Sequence, residues 1–162
     1  AARPSFTWWV INRLAFLVGA NNLAGFVLYF IQERFPELQG NLAAQPASLL
    51  MMVVGIAILV ISIPSGWLTD KFGAKRLLFV SGLLATLGTV IVIMAGSLTV
   101  MFVGGVLVGL ATGAFFSSNW ALGTSIVPKD EAGRWLGISN LAGAGAGAVG
   151  AYIGGPIGDG AG

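Results

Sequence analysis

Apolar and polar positions in this chain fall in long blocks, not in short alternating periods. No charged residue occurs between Leu38 and Thr69, and none between Leu77 and Pro128. A helix that crosses a bilayer needs roughly 20 mainly apolar residues. Five segments meet that requirement, at about 8–31, 48–68, 77–95, 98–127 and 135–157. The third and fourth share one uncharged run too long for a single crossing. Gly96-Ser97 is its natural break, with Ser97 placed to cap the next helix. Pro46 and Pro128 mark other boundaries, because the residue before a proline is pushed out of the helical region. Glu33 to Gln45 is polar, holds Pro36 and Gly40, and reads as a loop. The pattern predicts an all-α integral membrane protein with five transmembrane helices.

Composition strengthens this. Hydrophobic residues make up 56% of the chain and charged residues 9%, whereas soluble domains carry roughly 25% charged residues to wet their surface. The net charge of +2 is too small to point to a nucleic-acid partner. The chain has no cysteine, so it can form neither disulfides nor thiolate metal sites. It also has no histidine, the commonest general base and metal ligand. No cofactor, no metal and no enzymatic activity are therefore expected. The first apolar segment is too long for a signal peptide. A start without Met and an end on Gly-Asp-Gly-Ala-Gly read as part of a longer protein.

The bases give an orientation. With five crossings, Arg3, Lys71, Lys75, Arg76, Lys129 and Arg134 fall on one side and Arg34 on the other, while Arg13 snorkels toward the side of Arg3. Positive charge marks the cytoplasmic face. The N-terminus of the chain is thus expected in the cytoplasm, and the protein in the plasma or inner cell membrane.

The stretch GWLTDKFGAKR, Gly66 to Arg76, sets four charges between two uncharged runs. Gly66, Asp70, Lys71, Gly73 and Lys75 follow the order Gly-x-x-x-Asp-base-x-Gly-base-base, except that Ala74 stands where a base is usual and Arg76 follows one residue late. Gly66 would let helices approach, and Gly73 would permit a tight turn with positive φ. Asp70 would satisfy exposed amides at a helix start, and the bases would meet anionic headgroups. This stretch resembles the loop signature of the major facilitator superfamily. WALGTSIVPKDEAGRWLGISN, Trp120 to Asn140, is similar to the passage between the fourth and fifth helices of a six-helix half in such transporters.

The resemblance implies one partial transmembrane half-domain over 1–162, lacking its last helix, with the other half of the same protein as its partner. The Trp-Ala-Leu-x-Thr and Gly-Arg-x-Leu-Gly wording is closer to the C-terminal half. Gly154–Gly158, GGPIG, resembles instead an antiporter signature of the N-terminal half, but Asp159 stands where a glycine belongs. The implied function is transport of a small solute, a sugar or a drug-like molecule, by alternating access.

Solute contact requires polar groups facing a cavity. Asn12, Ala15, Gly19, Asn22, Phe26 and Tyr29 recur at helical spacing, and Asn21 and Asn22 sit midway along the first segment. The same amides serve equally well to tie helices together. In the fourth segment Thr112, Phe116, Asn119 and Gly123 share a face beside Trp120, an aromatic next to an amide that suits a sugar or an aromatic solute; ordinary packing accounts for them too. Ser139 and Asn140 offer a similar pair in the fifth. Gly143, Gly147, Gly150, Gly154 and Gly158 form a groove, read as helix packing. No Asp or Glu lies inside a segment, so either the protein is a facilitator or its coupling group lies elsewhere. A non-transporting membrane scaffold or assembly factor remains the alternative function, and an intramembrane enzyme lacks an evident nucleophile–base pair.

Overall fold

A computed structural model describes the backbone of residues 4–128 and 131–160 and, within the last helix, the side chains except at 132, 142, 151 and 154–160. The elements are α1 (Pro4–Arg34), a 3-10 turn (Gly40–Ala43), α2 (Ala44–Phe72), α3 (Ala74–Ile93), α4 (Leu98–Ile126) and α5 (Ala132–Gly160). The first four α-helices are long and apolar enough to cross a membrane. At about 1.5 Å per residue, the longer helices exceed the ~30 Å hydrocarbon layer. The all-α membrane fold expected from the sequence is the one observed.

Two compact units form, Ala1–Gly25 with Leu122–Gly162, and Phe26–Ala121. In the second, Ile31, Phe35, Ala43, Ala47, Leu50, Ala95 and Met101 bury one another. The expected loop from Glu33 to Gln45 is seen in the main, as the connection 35–43 that ends in the 3-10 turn. The α1 helix continues through Arg34, and α2 starts at Ala44. Gln32 Nε2 donates to Gly40 O at 3.2 Å and Gln39 Nε2 to Gln32 O at 2.6 Å, which folds the short connection back on α1. Arg34 Nε donates to Ala95 O at 2.8 Å, fastening the end of α1 to the turn between α3 and α4. Pro46 lies in the first turn of α2, where a missing N–H costs nothing. Pro64 lies inside α2 and interrupts its ladder. Nearby, the Ser62 hydroxyl donates to Ile58 O and the Ser65 hydroxyl to Ile61 O, both at 2.6 Å and each within its own helix.

The charged stretch is not a loop. Gly66, Asp70 and Lys71 belong to α2, Lys75 and Arg76 to α3, and Gly73 alone joins them at φ 87°, ψ 142°. Only glycine adopts that conformation readily, as its place in the motif anticipates. Asp70 therefore does not sit at a helix start. It stands exposed in the last turn of α2, and no side chain caps α3. A one-residue joint leaves no segment from which an acid could reach round. Lys71, at the favourable end of the α2 dipole, holds its ammonium 4.7 Å from the centre of the Trp67 ring. Ser97 lies just before α4, where its hydroxyl accepts from the amide of Val100 at 3.4 Å.

The α4 helix is the most enclosed, and its small residues explain why. Gly105 and Gly109 face α2, where an added Cβ would stand 2.5 Å from Leu50 Cδ1 and 2.6 Å from Val54 O. Gly113 continues that face against Ile58 and Ile61. On another side Gly104 meets Gly88 of α3, and a Cβ on either would come within 2.9 Å of the other's carbonyl. Close backbone approach of this kind holds helices together in lipid. Gly66 is looser, its added Cβ 3.9 Å from Ser117 Oγ.

Candidate solute-binding site

In the unit formed by Ala1–Gly25 and Leu122–Gly162, an aromatic knot closes the end where α1 begins. Phe6, Trp9 and Val127 are buried together. The Phe6 and Trp135 rings meet edge-on at 4.7 Å, and Trp135 Nε1 donates to Glu131 Oε2 at 2.7 Å. Gly123 makes room for the Trp9 indole, for a Cβ there would lie 2.8 Å from Cη2. These contacts fix α1 and α5 in parallel register. Further along, Arg13 and Leu17 lie over Gly143, Asn21 over Gly147 and Asn22 over Gly150.

The inward face of α5 has Ser139, Ala146 and Gly150 buried and Gly143 half-buried, set somewhat aside from the predicted glycine stripe. Gly143 and Gly150 belong to it, while Gly147 is exposed at its rim. Gly154 and Gly158 lie in α5, but their surroundings are outside the described residues. The glycines receive side chains of α1, so the seam is polar: two amides and a guanidinium lie along it. Ser139 is fully buried, and among the described residues its hydroxyl has no hydrogen-bond partner. Asn140 is exposed, as are Asn12 and Asn21, while Asn22 is half-buried. Asn22 Nδ2 donates to Val18 O at 2.9 Å, within its own helix.

The other candidates lie in the unit Phe26–Ala121. Tyr29 is 65% exposed, its ring 6.4 Å from Phe26. Thr112 is buried and turns its hydroxyl back to Val108 O at 2.7 Å. Asn119 is fully buried, whereas Phe116 and Trp120 are exposed in part. The α4 glycine faces and the Arg34–Ala95 bond escaped the sequence reading. The spacing Gly105, Gly109, Gly113 was a usable signal for the former; nothing local signals a bond across 61 residues.

Long apolar helices held together by close backbone packing define an all-α, multi-pass membrane protein. The model of the Major Facilitator Superfamily matches residues 6–162, and the chain belongs to that family of solute transporters. It is 29% identical over 127 residues to the minor myo-inositol transporter IolF of Bacillus subtilis (strain 168), a match covering 78% of this chain and 27% of that protein. The chain thus spans about a quarter of the length of that relative.

Proposed function

We propose that this chain forms most of one six-helix half of a transporter that moves a small polyhydroxylated solute, a cyclic polyol or a sugar, by alternating access. One observation carries the reading: Asn12 is exposed and Asn22 half-exposed along one stripe of α1, with Ala15 and Gly19 between them. Amides turned to hydrocarbon are costly, so such a face belongs to a water-filled cavity. A carboxamide offers one acceptor and two donors, the complement of a hydroxyl. Ser139, Asn140, Tyr29, Thr112, Asn119 and Trp120 are assigned as further polar or stacking groups of solute recognition. The similarity to a myo-inositol transporter supports the polyol class. The wording of residues 120–140 supports the C-terminal half, and the placing of the bases supports a cytoplasmic N-terminus in a plasma or inner membrane.

The test is uptake of radiolabelled myo-inositol by vesicles carrying the full-length protein. Saturable uptake is expected, reduced about tenfold or more in Asn21→Ala and Asn22→Ala at equal protein level. No uptake of polyols or sugars, with transport of flat aromatic compounds instead, would favour a drug-like solute. The partly exposed Phe116 and Trp120 are the observation behind that second reading.

A further inference from the structure

One contact in the α1–α5 seam differs from its neighbours. A Cβ built on Gly143 would lie 3.4 Å from Leu17 Cδ1, and one on Gly147 3.8 Å from Asn21 Nδ2, both tolerable contacts. At Gly150 the same Cβ would stand 2.8 Å from Asn22 Nδ2 and 3.7 Å from its Cγ. The atom that must give way is Nδ2, and giving way disturbs its hydrogen bond to Val18 O at 2.9 Å. The Asn22 amide thus makes its hydrogen bond to its own helix backbone in space that a side chain at position 150 would fill.

We propose that Gly150 is a positioning residue for solute recognition. The missing side chain lets the Asn22 amide keep Nδ2 on Val18 O, so that Oδ1 remains the acceptor for a solute hydroxyl. The idea rests on the polyol reading above. A methyl group at position 150 drives Nδ2 from its partner and turns the amide, so the acceptor no longer meets the hydroxyl. What is lost is binding, not movement. Gly150→Ala raises the KM for myo-inositol about tenfold with kcat little changed, the size of one hydrogen bond. Because Asn22→Ala removes the same interaction, the two substitutions are non-additive.

The experiment has two arms, both on the full-length protein. In the first, asparagine side chains are labelled with 15N, and the NH2 signals of Asn22 are identified by their loss in Asn22→Ala. In Gly150→Ala those signals are expected to shift while those of Asn41 and Asn119 stay in place; an unmoved Asn22 pair overturns the proposal. In the second, KM is measured for wild type, both single variants and the double. A double variant no worse than Asn22→Ala supports positioning, and additive losses overturn it. Should Gly150→Ala not fold, adding Asn22→Ala removes the colliding group and is expected to restore folded yield; failure to restore it counts against the proposal. Absence of myo-inositol uptake in the wild type would sink the polyol reading alone, and the labelling arm would still decide about Gly150.

Discussion

Asp70 is the residue whose position least suits its own surroundings. It lies at the carbonyl end of α2, where the helix dipole opposes an anion by roughly 0.3–1 kcal/mol. Lys71 beside it is drawn to the Trp67 ring. An acid there does not stabilise α2 through the helix dipole. Asp70→Asn is expected to leave thermal stability unchanged or slightly raised, yet to cut solute uptake strongly, while Lys71→Arg is mild. Stability and uptake measured on the same purified protein check this, and normal uptake would reduce the stretch to an interfacial anchor. The sequence revealed the need for a positive φ at Gly73 because only one residue type meets it cheaply. It misplaced Asp70 because charge density marks the membrane surface but does not say whether the backbone there is helix or loop.

Packing between elements runs through glycines of α4 that face α2 and α3 on two sides. Gly113→Leu is expected to lose at least about 1–3 kcal/mol, since α2 backbone and Ile61 already fill the space. Gly82→Leu is the control within the same unit, for nothing lies within 4 Å of a Cβ there. Thermal unfolding monitored by size-exclusion chromatography in detergent separates the two; equal losses would show that glycine acts through helix propensity alone. Arg34→Gln removes the charge-assisted bond to Ala95 and is expected to cost about 1.5–3 kcal/mol, seen as faster hydrogen exchange at the α3–α4 turn. The break before α4 was legible because Ser97 acts on its own neighbours, whereas Pro46, expected at a boundary, lies within α2. Helix partners were not legible: small residues announce close packing without naming what is packed. The buried face of α5 includes Ser139 and Ala146 for that reason, since burial depends on where α1 lies and not on residue size.

At the scale of the whole molecule, the distribution of bases predicts the orientation. A reporter fused after Lys75 is expected in the cytoplasm and one after Gly40 outside, and the reverse in intact cells would invert the assignment. The class of protein was legible because hydrophobic run lengths scale directly with membrane thickness. The solute was not, because an amide suits many hydroxylated partners. The central claim, that the polar face of α1 lines a cavity opening to each side in turn, meets its most direct test at Gly19. That residue is exposed, a Cβ there touches nothing within 4 Å, and the chain contributes no competing cysteine. Gly19→Cys in the full-length protein would be treated with a membrane-impermeant maleimide from either side of oriented vesicles. The account predicts labelling from both sides, slowed by saturating polyol. A thiol that reacts from neither side, with or without solute, would place this face in lipid and contradict the account.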